Sequence, residues 1–292
     1  MTATGRCSIV NTVTPASQSW RAGWLITGAA LLGAMTLAAG VVVGTHLDDR
    51  KTAPPALSVD FARLQTKLHA VVGVALSAVG GAQAPILLGD WRSGPAWSTI
   101  KVPLIIAALR AENPPKVTDA MTAAITESDN AAAESIWASL GDPVAAASKV
   151  EAVLRQTGDQ TTVQSHKVRL EFSAFGQTVW SLTNQARFTS VAVCDSTNAP
   201  IFALMGRVQA DQRWGIGAVP DAEFKGGWGP SPTGSYLVRQ IGVLAAPNGR
   251  IAVALAAQPD SGKFDDGKAA LSDMATWLTA HLGELPAGRC GS

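Results

Sequence analysis

Ser98 and Lys101 lie three residues apart in the stretch Gly94 to Glu112, GPAWSTIKVPLIIAALRAE. On a helix that spacing puts both side chains on one face, with Cβ atoms about 5–6 Å apart. There the lysine amine can reach the serine hydroxyl. A serine is a weak nucleophile until a base takes its proton, and a desolvated lysine can be that base. Two further polar clusters follow in chain order, Ser128-Asp129-Asn130 and Lys225-Gly226-Gly227. Taken singly, each has a plainer reading. Ser128 and Asn130 are residue types that cap helices, and Lys225 suits a solvated strand edge.

The elements that would position these residues can be read from the pattern around them. Gly94-Pro95 marks a turn and the apolar run Val102 to Leu109 a buried helix, with Pro103 acceptable only in its first turn. Phe61, Leu64, Leu68 and Val71 fall at helical spacing. Val71 to Val79 and Ala84 to Asp90 read as two strands divided by Gly80-Gly81. Val117 to Leu140 reads as helix, break at Ser128-Asp129-Asn130, then helix; Pro143 to Arg155 is another helix, and Gln177 to Val193 one more. Gly158 to Gly176 shows no periodicity. GIGAV from Gly215 is expected as a short strand, followed by strands Phe224 to Trp228, Tyr236 to Leu244 and Arg250 to Ala257. Pro247-Asn248-Gly249 turns the last pair into a hairpin. Phe264 to Leu282 closes the chain as an amphipathic helix. The expected fold is α+β: a five-stranded antiparallel sheet flanked by helices, two strands early and three late, with an inserted helical subdomain.

Outside this domain, residues 1–23 read as a polar tail. Trp24 to Gly44 (WLITGAALLGAMTLAAGVVVG) carries no charge and is long enough to cross a hydrocarbon core of about 30 Å as a single transmembrane helix. The other reading is a cleaved signal peptide. Residues 45–59 are a charged, proline-containing linker, and the folded domain is expected over 60–285. The net charge of +1 and the lack of a basic block argue against nucleic acid as a partner. His46, His69, His166 and His281 are scattered and match no zinc motif, so neither metal nor cofactor is expected. If the domain faces an oxidising compartment, Cys194 and Cys290 can pair; nothing in their spacing favours that over two free thiols.

Ser98-x-x-Lys101, Ser128-Asp129-Asn130 and Lys225-Gly226-Gly227, in that order, resemble the S-x-x-K, S-D-N and K-T-G set of class A β-lactamases and penicillin-binding proteins. ITESDNAAAESIW and GVLAAPNGRIAVALAA are also similar to the family's S-D-N helix and terminal hairpin, so the resemblance spans roughly Phe61 to Leu282. It implies a serine hydrolase that forms an acyl-enzyme at Ser98 with a β-lactam or a cell-wall peptide amide. Lys101 helps to remove the serine proton, and Ser128 relays a proton to the leaving nitrogen. Asn130 holds the substrate amide. Lys225 offers positive charge to a substrate carboxylate and disfavours protonation of Lys101. The backbone N–H groups of Ser98 and of Trp228, just beyond Gly227, are implied as the oxyanion hole. With the anchor, this places the enzyme at the cell membrane with its catalytic domain on the extracytoplasmic side. The alternative is a catalytically impaired binding module for cell-wall peptides on the same fold.

Three departures from the family bear on activity. Gly226 replaces a hydroxyl residue, removing one hydrogen bond to a substrate carboxylate, worth roughly 1.5–3 kcal/mol. The interval from Lys101 to Ser128 is short. No E-x-x-L-N string supplies a deacylating glutamate; Glu171, the sole glutamate between Glu151 and Glu223, is displaced from that place. Deacylation is therefore expected to be slow.

Overall fold

The computed structural model describes residues 54–81 and 83–291. The expected tail, the membrane span Trp24 to Gly44 and most of the linker lie outside these residues. Among the described residues no helix is long and apolar enough to cross a membrane.

Five antiparallel strands form the central sheet: β1 (Ala70–Ala78), β2 (Ile86–Gly89), β5 (Glu223–Pro230), β6 (Tyr236–Ala246) and β7 (Gly249–Pro259), in the order β2-β1-β7-β6-β5. The early strand β1 thus pairs with the last strand, from Ala70 opposite Pro259 to Ala78 opposite Ile251. This long-range pairing closes the domain around everything between. One sheet face carries Val72, Val74, Leu76, Val253 and Leu255, which pack with residues of α1 (Pro55–Gln65) and α8 (Phe264–Ala280). The other presents smaller residues, among them Ala75, Ala254 and Ala256, to the remaining helices, including α6 (Leu182–Ala192). Small side chains let a helix approach the sheet closely.

Helices α2 (Lys101–Ala111), α3 (Asp119–Thr126), α4 (Asn130–Ser139), α5 (Pro143–Arg155), α6 and α7 (Ala199–Met205) are inserted between β2 and β5. Every residue of α2 from Lys101 to Leu109 is buried, the state expected of a helix that is apolar all round. Pro103 sits in its first turn, where the missing N–H has no intrahelical partner to lose.

Three expectations need correction. Helix α1 spans Pro55–Gln65, reaching back into the expected linker and stopping before Leu68 and Val71; Val71 belongs to β1. The stretch Gln177 to Val193 is not one helix. Its Val179–Ser181 forms β4, which pairs with β3 (Ser93–Pro95) in a second small sheet. Ser181 then caps α6 by accepting a hydrogen bond from Asn184 N at 3.1 Å. GIGAV is a 3-10 turn, Gly215–Ala218, rather than a strand. The buried Gln240 side chain on β6 serves its backbone, accepting from Ile216 N at 2.9 Å and donating to Trp214 O at 2.8 Å.

Cys194 and Cys290 form a disulfide across a sequence separation of 96 residues, with Cα atoms 5.2 Å apart. It ties the chain just beyond α6 to the C-terminal segment, which also pairs with β7 through Arg250 and Gly288. Closing a loop of that length contributes about 4–5 kcal/mol in the chain-entropy account.

Candidate active site

Ser98 lies in a 3-10 turn, Trp97–Ile100, that runs directly into α2. Trp97 enters it with φ of 49°, a left-handed conformation that costs a bulky residue about 1–3 kcal/mol and needs surrounding support. That support is a buried polar chain. Arg239 on β6 donates to Gly94 O at 3.0 Å, Pro95 O at 2.8 Å and Trp180 O at 3.0 Å, and also to Gln185 Oε1. Gln185 in turn donates to Thr99 Oγ1 at 2.8 Å, beside Ser98. Among the described residues no carboxylate pairs with Arg239, and burial lowers its pKa to about 9.

The loop between α3 and α4 meets this turn. Ser128 has φ of 60°, and Asp129 caps α4 by accepting from Ala132 N at 2.6 Å. The capping role thus falls to Asp129, leaving the side chains of Ser128 and Asn130 to two buried lysines. Lys101 Nζ donates to Ser128 O at 2.6 Å, Asp129 O at 3.1 Å and Asn130 Oδ1 at 2.8 Å. Lys225 Nζ, from β5, donates to Ser128 Oγ at 2.8 Å and Gly226 O at 2.9 Å. Burial lowers the Lys101 pKa to about 8, against the opposing pull of Asp129 and Glu134. Burial, aided by the charge of Lys101, pushes Lys225 well below the ordinary lysine value. Lys225 is therefore a less persistent cation in the free protein than its role toward a substrate carboxylate suggests. The expected hydrogen bond between Lys101 and Ser98 is not formed. An ammonium has three donors, and all three are directed at residues 128–130.

Strand β5 is an edge strand, and it is this edge that meets Ser98. A β-carbon on Gly227 would lie 2.9 Å from Ser98 N and 2.8 Å from Thr99 N, so only glycine fits there. That contact sets Trp228 one residue further along the strand. A β-carbon on Gly226 points the other way, 3.3 Å from the Trp228 ring and 3.6 Å from that of Trp214. The two indoles, with centroids 5.8 Å apart, flank the space that a hydroxyl side chain would need.

All seven residues singled out in the sequence are thus brought together. Ser98, Asn130 and Trp228 line one cavity of about 210 Å³; Lys101, Ser128 and Lys225 form the hydrogen-bonded cluster at its edge, and Gly227 backs the nucleophile turn. The cavity is also lined by Glu134, Lys167, Phe172 and Phe175, which the sequence reading passed over, and by Glu171. Glu134 had a signal: it follows Asn130 by four residues, one turn along the same helical face. Glu171 is closer to the site than expected; a hydrogen bond from its own backbone N–H, and then Arg169 2.9 Å away, lower its carboxyl pKa. Among the described residues no cluster of His, Cys, Asp and Glu is arranged to hold a metal.

Compared with protein-family profiles and with curated protein sequences, the chain matches none. Solved structures do match. The extended-spectrum β-lactamase TLA-3 superposes with a TM-score of 0.63 at 14% identity, covering 78% of this chain and 98% of that one. A reconstructed class A β-lactamase of the last common ancestor of Gram-negative bacteria gives 0.59 at 20% identity, covering 77% and 98%. The β-lactamase from Sphaerobacter thermophilus gives 0.57 at 17%, covering 77% and 96%. The chain has a class A β-lactamase-like fold.

Proposed function

We propose that this protein is a membrane-anchored serine hydrolase of the β-lactamase/penicillin-binding class that forms an acyl-enzyme at Ser98 with a β-lactam or a cell-wall peptide amide. The observation that carries this reading is the convergence of two buried lysines on Ser128 beside the cavity that Ser98 lines. A lysine with a pKa near 8 holds a useful neutral fraction at neutral pH. On losing its proton, Lys101 is freed from one of its three acceptors and can receive the proton of Ser98 Oγ. The oxygen then attacks the substrate carbonyl carbon, and the developing oxyanion is directed at the backbone N–H groups of Ser98 and Trp228. Ser128 passes a proton to the leaving nitrogen. Asn130 already spends its Oδ1 on Lys101, so its amide N–H groups are the part left for the substrate. A substrate carboxylate near Lys225 favours the ammonium form by supplying the counter-charge that burial denies it. The Cys194–Cys290 disulfide supports an extracytoplasmic domain, and the uncharged run Trp24 to Gly44 supports an anchor.

A fluorescent penicillin tests the reading: it should label the folded protein covalently and fail to label Ser98→Ala. A protein that binds the probe reversibly and is never labelled would favour the binding-module reading instead. That second reading draws on one observation, the engagement of Lys101 with residues 128–130 rather than with Ser98.

A further inference from the structure

An ester at Ser98 turns over only if a water is activated beside it, and the E-x-x-L-N string that would mark the family's loop glutamate is absent here. Two carboxylates line the cavity with Ser98, those of Glu134 and Glu171. They differ in how far they are already committed. Glu171 accepts from Arg169 Nε at 3.1 Å and faces its Nη2 at 2.9 Å. Arg169 is itself fixed, donating to Pro230 O and stacking 4.3 Å from the Phe172 ring centroid. A carboxylate held by a guanidinium is a weakened base. Its side chain is also 58% exposed, against 40% for that of Glu134, which places it nearer the rim.

Glu134 is held differently. Its nearest cation is Lys167 at 4.0 Å, too long for a hydrogen bond, and among the described residues its carboxylate accepts none. It stands on a rigid element, since its neighbours Ala133, Ile136 and Trp137 on α4 are buried. Asn130, one turn earlier on the same helix, lines the same cavity. The negative charge of Glu134 is also felt at Lys101, whose protonated form it favours.

Resting on the acyl-enzyme reading, we propose that Glu134 is the catalytic base that takes a proton from the water that hydrolyses the ester at Ser98. In this step the water oxygen bonds to the acyl carbon as Glu134 accepts one water proton. The tetrahedral intermediate then expels Ser98 Oγ, which takes up a proton as Glu134 releases one. The products are a carboxylic acid and the free serine. Glu171, the candidate nearest to hand in the sequence, is left as a rim residue that fixes the loop through Arg169.

The test uses the full chain and a penicillin. After acylation and removal of excess probe, intact mass follows the loss of the adduct. Glu134→Gln should form the adduct and retain it at least a hundredfold longer than the parent, the low end of what a general base contributes. Glu171→Gln should lose it within a few-fold of the parent rate. Lys167→Ala, which removes the ion pair and keeps the carboxylate, should also stay within a few-fold. Equal adduct lifetimes in Glu134→Gln and parent would overturn the proposal, as would Lys167→Ala slowing decay as much as Glu134→Gln, because Glu134 would then act only by holding Lys167. Adduct formation is read separately from its decay. Its absence in the parent would reject the acyl-enzyme reading itself, and the assignment of Glu134 with it.

Discussion

If neutral Lys101 is the base for acylation, the rate of labelling at Ser98 follows the fraction of that lysine without a proton. With a pKa of about 8, that fraction is roughly one-hundredth at pH 6, one-tenth at pH 7 and nine-tenths at pH 9. The initial rate of acylation should therefore rise nearly tenfold from pH 6 to 7, rise again to pH 8, and level off above 9, close to a hundredfold in all. The cause is burial of Lys101, which disfavours the ammonium, partly opposed by Asp129 and Glu134. The direction of a shift follows from the same balance. Removing the charge in Glu134→Gln takes away a stabiliser of the ammonium, so the inflection should move to lower pH. Rapid-mixing experiments with a fluorescent penicillin, quenched into denaturant and quantified on gels, give the rate at each pH; a parallel incubation without protein corrects for hydrolysis of the probe. An acylation rate flat between pH 6 and 9, or unchanged in Lys101→Met, would refute the assignment of Lys101 as the base.

Further expectations concern the frame around the site. Arg239→Met strips buried donors from Gly94 O, Pro95 O and Trp180 O and should lower unfolding free energy by about 3 kcal/mol or more, read from the urea midpoint, while slowing acylation through the loosened Ser98 turn. Gly226→Thr must displace the Trp228 ring, so it should cost about 1–3 kcal/mol of stability and give no gain in acylation rate; a faster, equally stable variant would show the indoles to be no obstacle. Reducing the Cys194–Cys290 bond should lower stability by about 2–5 kcal/mol, and a thermal midpoint indifferent to reductant would contradict the pairing.

Much of this site could be read from the chain because its parts sit on regular elements. Ser98 and Lys101 precede an unbroken apolar run, Ser128-Asp129-Asn130 breaks one helix and opens the next, and Lys225 stands on a strand that pairs with the first strand of the terminal hairpin. Local pattern suffices for such elements. Where side chains hold the backbone, it does not. The segment Gly158 to Gly176 has no period because its order comes from long-range polar contacts. Buried Asp159 accepts from Trp180 Nε1 at 2.6 Å, and Gln177 bonds to Arg169 N and O. The turn at GIGAV depends likewise on Gln240, a residue of a distant strand. The strand hidden at the start of the expected 177–193 helix exists only because β3 is there to pair with it. The pairing of Cys194 with Cys290 required knowledge of where the C-terminal segment returns. Glu134 was legible in principle, one turn beyond Asn130, but only once α4 was known to face the cavity.

The most direct measurement of the central claim is the intact mass of the protein after incubation with a penicillin, followed by fragmentation of the adducted peptide. The expected result is a single added acyl group on Ser98, absent from Ser98→Ala although that variant folds and melts like the parent. An unmodified mass after prolonged incubation at high probe concentration, or an adduct on any other residue, would contradict the account.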